Sequence, residues 1–332
     1  MKFLFKVLIS ALLVPALLVA AAWWYVNRPL PLDAPTVEFT IERGFNMRQA
    51  ANTIADAGVQ EPPELLYWTA RVTGLSDRIV AGSYEVVEGE SVLTLLRKLY
   101  EGDVTFGQML IVEGWTFSQI RQILETHPHL QPDTIGLSDE EILARIGAEE
   151  SHPEGLFYPD TYRFNRHSSA LAVLRTAYEA MQRRLAQAWD MRDPDLPLDS
   201  PYEVLIMASI IEKETGHPDD RTLVSSVFAN RLNIGMRLQT DPTVIYGFGD
   251  EFEGRLRRHH LETDHEYNTY TRAGLPPTPI AMPGWDSLAA AVQPAESDYL
   301  YFVSRGDGTS EFSRTLREHN RAVDIFIRGR GG

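Results

Sequence analysis

The side chains best placed to do chemistry lie in residues 200–216, SPYEVLIMASIIEKETG. The limits of this stretch read as a helix. Ser200 with Glu203 forms a capping box and Pro201 takes the first helical position. Gly216, with Pro218 beyond it, offers a left-handed stop. Between them VLIMASII is apolar on every side, the mark of a buried helix. Glu212 follows directly, in a last turn whose unpaired carbonyls disfavour a carboxylate. Partial burial disfavours the charged form as well. Both effects favour a protonated carboxyl able to donate near neutral pH. Glu214 lies about 200° further round the helix at ~100° per residue, so the two glutamates do not easily face one cleft. Leu205, Ala208 and Ser209 share the face of Glu212, and the small pair 208–209 leaves room there for a ligand. The plainer alternative is an ion pair between Glu212 and Arg221 or Arg231.

Two further stretches carry clustered polar groups. Gln239, Thr240 and Asp241 stand in GMRLQTDPTVIYG, residues 235–247. They read as a wall that hydrogen-bonds sugar hydroxyls, or else Asp241 caps a helix starting at Pro242. YNTY, residues 267–270, precedes GLPPTPI. Asn268 and Tyr270 there suit hydrogen bonding to and stacking on pyranose rings, or else pack an ordinary loop. HHLETDH, residues 259–265, lacks the helical spacing of a zinc hydrolase and reads as a solvated charged loop, so no metal and no other cofactor is expected. There is no Gly-x-Ser-x-Gly elbow and no Walker loop.

A formal net charge of −15 without a long basic run argues against nucleic acid. The absence of cysteine excludes disulfides, thiolate zinc sites and cysteine nucleophiles, and suits an oxidising compartment. Residues 7–26 carry no charge and follow Lys2 and Lys6. That run is long enough to span the ~30 Å hydrocarbon core as a helix. Trp23, Trp24 and Tyr25 close it as an aromatic belt, and the two lysines place residues 1–6 in the cytoplasm. A cleaved signal peptide, cut near Ala20 and Ala22, is the alternative. Residues 27–36, with Pro29, Pro31 and Pro35, read as a stiff linker.

Beyond the linker one pattern recurs: strand end, glycine turn, helix cap, amphipathic helix. It falls at Gly44 with Asn46, Gly89 with Ser91, and Gly114 with Thr116. The fold class is α+β, with a small module over 37–104 and a larger mixed domain over 105–328. In the module, helices are expected at 47–57, 63–73 and 92–100. The larger domain has expected helices at 117–126, 138–146, 168–189, 201–215, 220–234, 286–292 and 314–327. Short strands are expected at 299–303 and 310–312.

These stretches together resemble the endolytic murein transglycosylase (YceG-like) family. The matching residues are EGLFYPDTYRF (154–164), MASIIEKET (207–215), VFANRLNIGMRLQTDPTVIYG (227–247), YNTY with GLPPTPI (267–280), YLYFV (299–303) and Glu318-His319-Asn320. The resemblance implies a LysM-like module near the membrane and a lytic transglycosylase domain after it. It implies that the first glutamate of IEKE, Glu212, is the acid/base. Ser209, Gln239, Thr240, Asp241, Asn268 and Tyr270, read from the residues themselves, are the candidates for contacting the substrate. The implied reaction cuts the MurNAc–GlcNAc β-1,4 bond of nascent strands, leaves a 1,6-anhydroMurNAc end and limits strand length. The implied place is the cell inner membrane, single-pass, with the catalytic domain on the outer side. Peptidoglycan glycan strands are the substrate and peptidoglycan synthases are candidate partners. A water-using muramidase and a non-catalytic peptidoglycan-binding scaffold are the rival readings. Two departures stand beside the expected cleft: His265-Glu266 before YNTY, where the family often has serine–proline, and the Arg- and His-rich stretch 249–262.

Overall fold

The computed structural model describes residues 2–329, with side chains described from residue 13 onward. The fold is mixed α+β, in two compact units. One comprises residues 1–108 with 163–168, the other residues 109–162 with 169–332.

The first unit starts with helix α1 (Lys2–Asn27), which holds Pro15 and exposes Trp23 and Trp24. The expected membrane span falls on α1, but the side chains of residues 7–12 lie outside the described residues. Among the described residues no helix is long and apolar enough to cross a membrane. Strand β1 (Thr36–Ile41), helices α2 (Met47–Asp56) and α3 (Pro63–Thr73), strand β2 (Gly82–Val87) and helix α4 (Val92–Glu101) follow. β1 and β2 pair antiparallel with Phe39 opposite Tyr84. Alternation along β1 buries Val37, Phe39 and Ile41, which join Ile54, Leu66, Leu95, Leu96 and Leu99 in one core. The expected helix starts form as read. Asn46 and Gln49 make a reciprocal capping box, and the Ser91 hydroxyl accepts from the Thr94 N–H. Gly44, Gly89 and Gly114 all take positive φ, 90°, 96° and 76°, where a side chain would be strained.

The expected linker is a correction. Leu30 is buried in the core of this unit, Pro29 bridges to Ser91, and Leu32 bridges to Val59. Arg28 forms a salt bridge with buried Glu61, which also accepts from the Tyr25 hydroxyl. Prolines here shape a segment whose carbonyls and apolar side chains are used in packing, so it is no free spacer.

The chain passes between the units within β3 (Phe106–Leu110) and β5 (Thr161–Asn165). The short β6 (Ser168–Ser169) lies at the boundary, and the second unit holds α5 (Phe117–Thr126), the short β4 (Leu130–Gln131), α6 (Asp139–Ile146), α7 (Ala170–Asp190), α8 (Pro201–Glu214), α9 (Pro218–Asn233), α10 (Asp241–Phe248), α11 (Arg258–Glu262), α12 (Trp285–Val292), the hairpin strands β7 (Tyr301–Ser304) and β8 (Ser310–Ser313), and α13 (Leu316–Phe326). α8 is its axis. Every residue from Val204 to Ile211 is buried, and α7, α9, α10 and α12 pack around it. The left-handed stop at Gly216 does not form: the helix ends on Thr215 in extended backbone, φ −143°. Part of the expected charged loop folds as α11, which buries His260 against Phe248 and Phe252.

Glu154, from the EGLFYPDTY stretch, fastens two elements of this unit. It is 3% exposed, accepts from the Phe117 N–H at the start of α5 (3.0 Å), and accepts from the Tyr246 hydroxyl on α10 (3.1 Å). Burial pushes its carboxyl from 4.5 up to about 7. Between these values the folded protein holds a proton that the unfolded chain has released. That contribution is complete below 4.5 and is lost as pH rises through 7. Stability is expected to fall between pH 5 and 8, by at most about 3 kcal/mol from this group. Glu154→Gln should flatten part of the slope in urea unfolding across that range. Identical slopes in both proteins would remove Glu154 from this role.

Candidate active site

The two glutamates at the end of α8 go to different places. Glu214, its last residue, points into a cavity of about 450 Å³ in the second unit. Arg231, Gln239, Asp241, Tyr270, Tyr301 and His319 share the lining. Atoms crowd Glu214 on most sides, yet it keeps surface open to the cavity, so it is desolvated and still reachable. Burial pushes its carboxyl up to about 7. A hydrogen bond from the Thr240 hydroxyl and the positive charge of Arg231 pull it down, and the negative charge of Asp241 pushes it up.

The polar wall is built by two chain segments that bond to each other. Thr240 is buried; its N–H donates to Thr269 Oγ1 at 3.0 Å, and its carbonyl accepts from the Thr243 hydroxyl at 2.8 Å. This aims the Thr240 hydroxyl at Glu214. Gln239 adopts φ +49°, a left-handed backbone that costs a non-glycine residue on the order of 1 kcal/mol, while its N–H donates to the Thr269 carbonyl. Asp241 opens α10 but does not cap it: the N-cap is Thr240, and Asp241 Oδ1 accepts from the Tyr270 hydroxyl at 2.5 Å. Burial and then Asp241 hold the Tyr270 phenol far above its ordinary range, so it stays a donor.

Asn268 acts as a brace. It is fully buried, donates to the carbonyls of His260, Leu261 and Thr263, and accepts from the Tyr270 N–H. Ser209 is likewise structural. It is buried, donates to the Ile206 carbonyl and accepts from the Ile280 N–H at 3.0 Å. Ala208 is buried beside it, so the expected space for a ligand on that face is filled.

Glu212 stands apart from the polar wall expected around it. Its Oε2 accepts from the Gly284 N–H at 3.0 Å and from the Ser287 hydroxyl at 2.7 Å. Gly284 is the N-cap of α12, so Glu212 places a carboxylate on the donor end of a neighbouring helix. The ion pairs weighed as an alternative do not form: Arg221 reaches Asp286 at 3.2 Å, and Arg231 donates to the carbonyls of Leu300 and Leu238. Glu113 lies against Gly284, and burial followed by the negative charge of Glu212 holds its carboxyl above the usual range. In HHLETDH, Asp264 pairs with Arg272 at 3.0 Å.

Of the residues expected at the site, Gln239, Thr240, Asp241 and Tyr270 come together, but around Glu214. Sequence reasoning assigned no site role to Glu214, Arg231, Tyr301 or His319. Apolar residues surround α8 on all sides, so its helical phase could not say which glutamate faces a cavity.

The second unit thus holds a desolvated carboxyl within a polar cavity. A model of the YceG-like family matches residues 39–325. The chain is 30% identical to the endolytic murein transglycosylase of Bacillus subtilis (strain 168), over 94% of this chain and 91% of that protein. It is 27% identical to the endolytic murein transglycosylase of Streptococcus pneumoniae serotype 2, over 95% of this chain and 64% of that protein. A crystal structure of a yceG-like protein from Listeria monocytogenes shares 32% identity with a TM-score of 0.57, covering 86% of this chain and 98% of the other. The chain belongs to the YceG-like family.

The cap made by Glu212 has a measurable consequence. Glu212→Ala strands two donors at the start of α12 and should destabilise the protein by about 1–2 kcal/mol. Glu212→Gln keeps an acceptor oxygen and should lose less. Urea unfolding of the three proteins reads this, and an alanine variant as stable as the parent would refute the capping role.

Proposed function

We propose that this chain is an endolytic peptidoglycan lytic transglycosylase, a lyase, in which Glu214 and not Glu212 is the acid/base. One observation carries the assignment: Glu214 is the carboxyl whose desolvation brings it to about 7 within a cavity walled by Gln239, Thr240, Asp241 and Tyr270. The names of the relatives support the reaction class.

In the proposed reaction a glycan strand lies in the cavity. Protonated Glu214 donates to the glycosidic oxygen between N-acetylmuramic acid and N-acetylglucosamine, and the bond from that oxygen to the muramic anomeric carbon breaks. Positive charge develops on the muramic ring. Asp241, fixed by the Tyr270 hydroxyl, supplies the compensating negative charge. The muramic 6-hydroxyl then attacks its own anomeric carbon, and its proton goes to the Glu214 carboxylate. A 1,6-anhydro end forms, the acid is regenerated and no water is consumed. Cutting within nascent strands limits their length.

The same reading anchors the chain in the inner membrane. The uncharged run 7–26 and the continuous helix α1 support an anchor. Because Leu30 is already packed in the first unit, that unit begins within a few residues of the membrane surface. The first unit is proposed to act as a LysM-like glycan-binding module on the outer side, where peptidoglycan synthases are candidate partners.

A second reading has its own observation. Asp241 lines the same cavity as Glu214, and hydrolysing glycosidases place two carboxyl groups about the scissile bond. Asp241 would then activate water, making the enzyme a muramidase. Mass spectrometry separates the routes: a product lighter by one water, with an anhydro end, supports the lytic reaction, whereas a reducing end refutes it. Failure to release any soluble muropeptide from purified sacculi would leave a non-catalytic scaffold.

Glu214→Gln is expected to reduce strand cleavage by about a thousandfold or more, while Glu212→Gln retains at least roughly a tenth of it. The opposite ranking would return the role to Glu212. Because the acid form of Glu214 must be present, kcat/KM should decline above pH about 7, approaching tenfold per pH unit. A profile flat to pH 9 would contradict this.

A further inference from the structure

The wall of the cavity formed by β7, β8 and α13 holds an imidazole to which the mechanism above gives no task. His319 sits on α13 and lines the cavity that Glu214 enters. Its ring stacks on Tyr301 with centroids 5.3 Å apart and planes at 26°. The guanidinium of Arg231 lies over the same tyrosine, 5.3 Å from its centroid. Arg231 is itself pinned by the Leu300 and Leu238 carbonyls, so the stack has a fixed base. The start of α13 is fixed too: the Thr315 hydroxyl accepts from the Glu318 N–H, and Glu318 Oε2 accepts from the Thr315 N–H at 3.1 Å.

The two ring nitrogens differ. Nδ1 is buried and has no hydrogen-bond partner among the described residues. A buried N–H without an acceptor is rarer and costlier than a buried acceptor without a donor. The proton is therefore assigned to Nε2, the nitrogen left to meet a ligand. Burial, and after it the charge of Arg231, hold the imidazole below its ordinary range and therefore neutral.

We propose that His319 is a substrate-positioning residue whose Nε2–H donates to an acceptor oxygen of an N-acetylated glycan bound in the Glu214 cavity. This rests on the reading of that cavity as the glycan site. A neutral donor suits the task, since it binds a hydroxyl or acetamide oxygen without adding a positive charge beside the developing cation. The flat Tyr301–His319 pair sets its direction.

The test measures binding separately from cleavage. The full chain carrying Glu214→Gln is titrated calorimetrically with an uncrosslinked tetrasaccharide of alternating N-acetylglucosamine and N-acetylmuramic acid. Adding His319→Phe keeps a stacking ring and removes the donor; Kd should rise about five- to tenfold, the worth of one hydrogen bond. Adding His319→Gln, whose amide can donate, should return Kd to within about twofold of the parent. Melting temperatures should stay level. Unchanged binding in the phenylalanine variant, or equal weakening in both variants, overturns the inference. A drop in melting temperature that accounts for weaker binding in both variants overturns it as well. Loss of the proposed reaction in the otherwise wild-type chain would refute the lytic mechanism and leave this binding comparison standing, whereas failure of the parent to bind the tetrasaccharide would refute both.

Discussion

The second unit depends on how a single helix ends. α8 is buried along Val204–Ile211, and four helices hold it in place. Its last turn carries two glutamates two residues apart, and helix rotation alone sends them to nearly opposite sides. On one side lies the N-terminus of α12, with donors at Gly284 and Ser287 that need an acceptor. On the other lies the cavity. Each carboxyl finds its own local surroundings. Glu212 becomes a cap for its neighbour, and Glu214 is left where desolvation favours the proton.

The surroundings of Glu214 oppose one another in a way that suits reversible proton transfer. Burial alone would keep the carboxyl neutral. Thr240 donates to it and Arg231 sits near it, and both favour the anion. Asp241 restores some preference for the acid. The balance near 7 describes a carboxyl that can both release and accept a proton near neutral pH. Arg231 contributes without an ion pair: backbone carbonyls engage its Nε and Nη1, and its charge acts on Glu214 across the cavity. The polar wall is rigid for similar reasons. Asn268 braces the 260–270 segment through four bonds, and the threonines 240, 243 and 269 tie that segment to the start of α10.

The first unit shows how proline-rich composition misleads. Pro29, Pro31 and Pro35 suggested an extended spacer, but the segment makes isolated bridges at Pro29 and Leu32 and bends at residues 33–35. Between the prolines, however, Leu30 and Leu32 are apolar, and Leu30 enters the core beside α4.

Local signals were enough for the elements. Helix caps at Asn46, Ser91 and Thr116 and glycine turns at 44, 89 and 114 each depend on neighbours within a few residues, so most of the helices were legible, whereas the short strands between residues 106 and 169 and helix α11 were not. The residues of the polar wall were legible as well, because Gln239, Thr240, Asp241 and Tyr270 cluster in two short polar stretches. The brace formed by Asn268 and the buried bonds of Ser209 were not, since a polar side chain looks the same in sequence whether it meets a ligand or a carbonyl. The different settings of Glu212 and Glu214 arise only in three dimensions. Both follow the same apolar run, and their difference arises from what stands opposite: a helix N-terminus brought from residue 284, or a cavity wall assembled from residues 231 to 319. The residues along the chain determine which groups exist and how they are spaced along one helix; packing across long separations decides what each of them meets.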